Sequence, residues 1–388
     1  MKKTILLLVI ILSSLSLHAE VRGVWVPDPQ YTDVLKSYNN VQNFVAMLDS
    51  LHFNSVFVVS YALNKTLYPS KVVLKNSNYK SIDSTSLLAP FLKNYKSPTG
   101  DPVRDLIDEA HKRQIKVFFW YEFGFMADIK LATPDNNPIL AKHPNWIGIG
   151  NDGKPANYNQ HDYYFNSFDP KVQNYLIELV LEGIKKYPDV DGVQGDDRLP
   201  ASCINSGYDK KTVAMYKKAH KGALPPNDFT DAGWVRWRLD ILNKFGATLY
   251  TKVKKQNPGV MVSFAPNPYP WSRDNLMQEW PQWVNAGICD LLAVQCYRRD
   301  SLSYLNAVKA AREHVQLPEG RKMAFTPGVL LKVSGQLVDP VEFGKQLRIN
   351  RALKTNGEIL FYNEGLYDER IRQEIRKVYT GKVGFPSN

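Results

Sequence analysis

The sequence predicts a (β/α)8 TIM barrel with long strand-to-helix loops. Three observations point to it. Eight short β-branched or aromatic runs alternate with amphipathic helical stretches along the 388 residues. The helix-to-strand links are short while several strand-to-helix links are long, the asymmetry of a barrel whose active site lies on one face. The turn after the first run, Trp25-Val26-Pro27-Asp28, carries none of the glycines that a doubly wound, dinucleotide-type sheet places there.

The strand candidates are residues 21–26, 55–60, 115–121, 190–195, 260–265, 290–296, 322–327 and 358–362. Their near-continuous apolar character suits strands covered on both faces. Between them, Val41, Phe44, Val45 and Leu48 form a stripe at helical spacing, as do Val103, Leu106, Ile107 and Ala110, and then Val172, Leu176, Leu179, Val180 and Ile184. A long helix over 231–255 carries Val235, Leu239, Leu242, Phe245 and Leu249, and further helices are expected near 276–286, 304–314, 341–353 and 368–378. The long loops are 61–102, 122–170 and 196–230.

Residues 1–19 read as a signal peptide. Lys2 and Lys3 precede an apolar run over 5–12, and Ala19 supplies a small residue at a cleavage point. That run is too short to span a bilayer, which takes roughly 20 apolar residues. The expectation is a periplasmic or secreted protein without stable membrane insertion, residues 20–388 forming a single domain. The net charge of +11 is scattered rather than gathered into a stripe, so no nucleic-acid partner is expected. A basic exported protein is instead suited to anionic envelope polymers. Cys203, Cys289 and Cys296 are too few and badly spaced for a disulfide scaffold or zinc site. The seven histidines form no HxxH pair, so neither a metal nor another cofactor is expected. The absence of a GxSxG elbow argues against a serine esterase.

Side chains alternate faces along a strand. In the fourth run Gln194 and Asp196 share the face opposite Val193, which aims Asp196 into the barrel mouth and leaves Asp197 to start the loop. The third run pairs Trp120 with Glu122, the sixth Gln295 with Tyr297, and the eighth Tyr362 with Glu364. Carboxylates at three strand ends, with Trp25, Tyr61, Trp120 and Tyr297 around them, suggest glycoside hydrolysis. That reaction needs one protonated acid for the leaving oxygen and one ionised carboxylate as nucleophile or base. Close carboxylates can be driven apart in pKa by repulsion and uneven burial. For any one rim carboxylate the alternative is a salt-bridge partner or a solvated loop residue; for any one aromatic it is plain core.

Several segments together carry a family likeness: "RGVWV" at the first strand, "WYEFGFM", "HPNW", "VDGVQGDDRLP", "SFAPNPY", "VQCYR" and "LFYNEGL". In this order the chain resembles the bacterial glycosyl hydrolase-like family ten, over almost all of residues 20–388. The resemblance implies an exported glycan hydrolase on a TIM barrel distantly akin to the α-amylase and α-galactosidase group, acting on a polysaccharide or peptidoglycan glycan strand, notably one stripped of peptides. It implies catalytic roles for Asp196, Asp197, Glu122 and Glu364: Asp196 as nucleophile or general base, and Glu364 or Glu122 as general acid. It assigns sugar contacts to Gln194, Gln295, Tyr297 and Arg298; Arg198 and Asn267, in the neighbouring loops, are further candidate substrate contacts. The chain departs from its relatives at Gly195 and Arg198, where an aromatic and a His are common, and at Asn363, where an aromatic is common. Arg198 cannot titrate as a His does and should hold Asp196 or Asp197 ionised. An α-glucan or other polysaccharide hydrolase, or a non-catalytic glycan-binding barrel, are the alternatives.

Overall fold

A computed structural model describes residues 19–386; of the expected signal peptide, residues 1–18 lie outside the described residues. Eight parallel strands form the barrel: β1 (Val21–Val26), β2 (Ser55–Val59), β3 (Lys116–Tyr121), β4 (Gly192–Gly195), β5 (Met261–Phe264), β6 (Leu291–Leu292), β7 in two pieces (Ala324–Phe325 and Gly328–Leu330) and β8 (Gly357–Phe361). Each pairs with the next in chain order, and β1 pairs with β8, Gly23 lying opposite Ile359. The sheet closes through β7. Its first piece pairs with β6 and its second with β8. Pro327, which has no N–H to give a ladder, stands between the two pieces. All eight predicted runs are therefore strands. The sixth is regular over two residues only, and its chain continues extended: Ala293 N–H donates to the Phe264 carbonyl (2.8 Å) and Gln295 N–H to that of Pro266 (2.9 Å).

Outside the strands run α1 (Tyr38–Ser50), α2 (Pro102–His111), α3 (Pro170–Lys186), α4 (Ala232–Gln256), α5 (Trp280–Asn285), α6 (Ser301–Glu313), α7 (Pro340–Ala352) and α8 (Glu369–Val378). Their starts are written locally. Asp101, Asp169 and Asp339 each cap the first turn with a carboxylate oxygen while the next residue is proline, whose fixed φ and missing N–H suit the first helical position. The predicted stripes of α1, α2 and α3 are the buried faces of those helices. Leu239, Leu242, Phe245 and Leu249 do the same for α4, with Val235 only partly buried. The helix expected over 276–286 is instead two short ones, Trp271–Leu276 and α5, separated by Met277 in the left-handed conformation.

At the end of the barrel where strands begin, the segment before β1 meets the segment after α8. Glu20 N–H donates to the Gly384 carbonyl (3.0 Å), Arg22 Nη1 to that of Gly381 (2.6 Å), and the Phe385 ring stacks near Phe118. The opposite end carries the long loops. No helix among the described residues is long and apolar enough to cross a membrane.

Candidate active site

The strands end on a cavity of about 110 Å³ lined by Glu122, Asp196, Asp197 and Arg198, with Trp25, Trp120, Tyr297 and Phe361 as aromatic walls. Two glycines shape it. A Cβ on Gly195 would meet the Leu199 carbonyl oxygen at 2.3 Å, and one on Gly124, at φ +46°, the Arg198 carbonyl oxygen at 2.4 Å. The 196–199 turn thus folds back over the end of β4, held from the other side by Phe125 N–H on the Arg198 carbonyl (2.8 Å). Glycine is what permits both approaches.

Asp196 is buried at the end of β4. Its Oδ2 accepts from Trp120 Nε1 (3.0 Å) and its Oδ1 from the Arg198 backbone N–H (3.1 Å), which fixes the plane of the carboxylate. Asp197 reaches out of the turn, with Oδ2 accepting from Asn267 Nδ2 (3.0 Å). The Arg198 guanidinium sits between the pair, 3.1 Å from Asp197 Oδ1 and 3.5 Å from Asp196 Oδ2. Burial nevertheless pushes the Asp196 carboxyl well above its ordinary 3.8, reinforced by Asp197 and Glu122. The Arg198 guanidinium opposes this shift, but desolvation of the buried carboxylate outweighs it.

Glu122 follows β3 on the same face as Trp120. Its Oε2 is shielded from solvent and has no hydrogen-bond partner. Burial pushes its carboxyl from 4.5 to about 7, against the pull of Arg198 and with added repulsion from Asp28 and Asp197. Near neutrality this group therefore keeps a proton on a substantial fraction of molecules, on a side chain that lines the cavity.

The other predicted residues divide. Gln295 and Tyr297 line the cavity; Gln295 Nε2 donates to the Ala265 carbonyl (2.9 Å), and the Tyr297 ring stacks on Phe361 with centroids 5.0 Å apart. Gln194 lies beneath the floor, accepting from Trp25 Nε1 (2.7 Å) and donating to Ser263 Oγ (2.8 Å). Both ends of its amide are spent within the protein, one holding Trp25 and the other anchored on Ser263. Tyr61 is wholly buried, its hydroxyl 3.4 Å from that of Tyr175, and Arg298 is exposed, donating to the Tyr297 carbonyl; neither lines the cavity.

Glu364 is not brought to this cluster. The chain leaves β8 at Phe361 and coils into a 3-10 helix, Asn363–Tyr367. That carries Glu364 to a separate cavity bordered by Asp33, Asn40 and Tyr367. The inward residue at the end of β8 is Phe361, one position before the predicted Tyr362. Ile359, Leu360 and Phe361 are all apolar, so alternation left the register unmarked. The polar residue that does mark it is Glu358, which faces the helix layer and bonds Arg351, Asn350 and Tyr379.

Beside the carboxylates a second cavity of about 380 Å³ opens, sharing Glu122, Arg198 and Phe361 and lined by Tyr31, Leu63, Ile129, Val333 and Tyr362. Asp28 lies in its wall, buried, with Oδ1 accepting from Gln30 N–H (2.8 Å). Sequence reading missed Asp28 and Phe361. Their position just beyond β1 and at the end of β8 is the signal that could have found them.

Residues 20–318 match the model of the family described as glycosyl hydrolase-like 10. The chain belongs to that family. With it, the protein falls among the enzymes that act on O-glycosyl bonds. Glycosyl hydrolase DigH of Escherichia coli K12 is 24% identical, the match covering 84% of this chain and 76% of that protein. Glycosyl hydrolase YngK of Bacillus subtilis is 22% identical over 86% of this chain and 66% of its own length. Among solved structures, the glycoside hydrolase domain of PgaB (BpsB) from Bordetella bronchiseptica superposes with a TM-score of 0.66 at 13% identity, covering 95% of this chain and all of that one. The catalytic domain of a β-amylase from Paenibacillus polymyxa does so at 0.58 and 8% identity, covering 93% and 98%. Both likenesses concern the fold, a TIM barrel.

Proposed function

We propose that the protein cleaves glycosidic bonds of a bacterial envelope glycan, of which peptide-free peptidoglycan is the leading example, after export directed by residues 1–19. The observation that carries the reading is the division of labour among three carboxyls in one aromatic-walled cleft. Glu122 holds a proton near neutrality on a side chain whose Oε2 has no partner. It is the general acid, donating to the glycosidic oxygen as the bond breaks. Asp196, oriented by Trp120 and the Arg198 N–H, is the nucleophile or general base on the other side of the sugar. Burial makes its carboxylate a stronger base than an ordinary aspartate.

Asp197 and Arg198 support this pair. Arg198 keeps the cluster from accumulating two uncompensated charges, and Asp197, steadied by Asn267, is placed to hold a sugar hydroxyl. Trp25, Trp120, Tyr297 and Phe361 offer the apolar faces on which pyranose rings pack. The role of Gln194 passes from sugar contact to positioning Trp25, and the acid role falls to Glu122 rather than Glu364. Reducing-end release from peptide-free peptidoglycan, with α-glucans alongside, tests the reading. Asp196→Asn and Glu122→Gln should each abolish release; release from α-glucans alone would overturn the substrate assignment.

A further inference from the structure

The groove does not end at the second cavity. A third, of about 370 Å³, adjoins it through Asp28, Gln30 and Leu63, which line both. Its far side is built from the loops after β1 and β2 and carries Lys36, Lys65 and Phe91. Both volumes lie in the range of small-ligand clefts. The two ammonium groups are held in different ways. Lys36 Nζ is 2.6 Å from the exposed carboxylate of Asp33 and lies 5.1 Å from the Phe91 ring centroid. Lys65 Nζ lies 5.4 Å from the Tyr79 ring centroid and has no carboxylate within ion-pair distance among the described residues. Asp28 is the acidic group on this wall, but its carboxyl is buried and turned to the Gln30 N–H, whereas both lysines keep access to solvent.

We infer that this third cavity is a subsite for a carboxylate-bearing sugar, whose anionic group is met by Lys65 with Lys36 beside it. The inference rests on the glycan-hydrolase reading above and deepens it by assigning the sugar's carboxylate a place on the groove. A chain running from Glu122 along the groove passes the apolar wall of Tyr31, Leu63 and Tyr362 and then reaches two cations. A neutral polysaccharide leaves the Lys65 cation unused; an acidic one gains a charge-assisted hydrogen bond. An ether-linked lactyl group and a uronic acid both carry such a carboxylate, and the structure presents the same chemistry to both.

Titration calorimetry on the full chain carrying Asp196→Asn, which removes turnover, tests this with three oligosaccharide probes of equal length. Peptide-free peptidoglycan fragments carry lactyl carboxylates, hyaluronan fragments carry uronates, and chitin fragments are neutral. At least one acidic probe should bind about tenfold more tightly than chitin. The margin should shrink between about 20 mM and about 500 mM salt and largely vanish in Lys65→Met. Lys36→Met serves as a second variant should the first fold poorly. Which acidic probe shows the margin identifies the source of the carboxylate. Equal binding of all three probes, no binding of any, or a margin surviving both lysine variants overturns the inference. Failure of the unsubstituted protein to release reducing ends from any probe, with the binding margin intact, would count against the hydrolase reading and leave the subsite standing.

Discussion

Replacing Glu122 by Gln should make the protein both inactive and more stable, and the two effects have one cause. Moving a carboxyl from 4.5 to about 7 corresponds to about 3 kcal/mol, at about 1.4 kcal/mol for each tenfold change in proton affinity. The folded state holds the proton more tightly than the unfolded chain. Stability contributed by protonated Glu122 is therefore present in full below pH 4.5 and is lost as pH rises through about 7. Above that, the wild type carries a charge that its surroundings oppose. Gln keeps the shape and drops the charge, so the variant should exceed the wild type by up to about 3 kcal/mol at pH 8 and by about nothing at pH 4. Because Glu122 is only partly closed off, that figure is a ceiling, and a rise of a few degrees in melting temperature is the working expectation. Calorimetric melting of both proteins at the two pH values measures it. Over the same substitution kcat should fall by about 10²- to 10⁴-fold. A variant no more stable at pH 8 than at pH 4, relative to wild type, would refute the claim that burial keeps Glu122 protonated.

Four further outcomes are expected. The pH profile of kcat/KM should be bell-shaped, with an alkaline limb near 7 set by Glu122 and an acid limb above the ordinary aspartate range set by Asp196; steady-state rates across pH check this. Asp28→Asn removes one repulsion on Glu122, and the alkaline limb should move to lower pH by a few tenths of a unit. Arg198→Gln leaves two carboxylates without their cation and should cost about 2–3 kcal/mol at pH 7, less at pH 4 where protonation relieves the repulsion, as read by urea unfolding. Gln194→Met strands the Trp25 Nε1 and Ser263 Oγ groups and should cost about 2 kcal/mol in the same assay.

How much of this was legible in the sequence depends on how far each feature is local. Strand positions were readable because β-branched and aromatic runs sit between capped helices, and Asp-Pro pairs write helix starts into neighbouring residues. Asp196, Glu122, Gln295 and Tyr297 were found because alternation along a strand is itself local, and each strand offered a contrast in polarity. Strand β8 offered none at its exit, and the turn that diverts Glu364 is anchored by a contact 331 residues away, Asn363 Nδ2 on Thr32 Oγ1. Gln194 shows another limit. Its inward direction was readable, but whether it meets sugar or tryptophan depends on β1, distant in sequence. The cavity joining the loops after β1 and β2 was invisible for the same reason: Lys36 and Lys65 are unremarkable on their own and acquire meaning only from what the barrel sets beside them.

The contact between the segments before β1 and after α8 has a topological consequence. Since Glu20 and Gly384 are joined by a hydrogen bond, and β1 closes the cylinder against β8, the barrel is a ring opened at one point, on the side away from the carboxylates. Where a ring is opened is a matter of chain order rather than of packing. A short linker joining residues 20 and 384, with a new opening in the loop around Leu224, which is 68% exposed, would leave the strand neighbours and the cleft as they are. Such a circular permutant should assemble the same barrel, its first strand arriving in the middle of the chain.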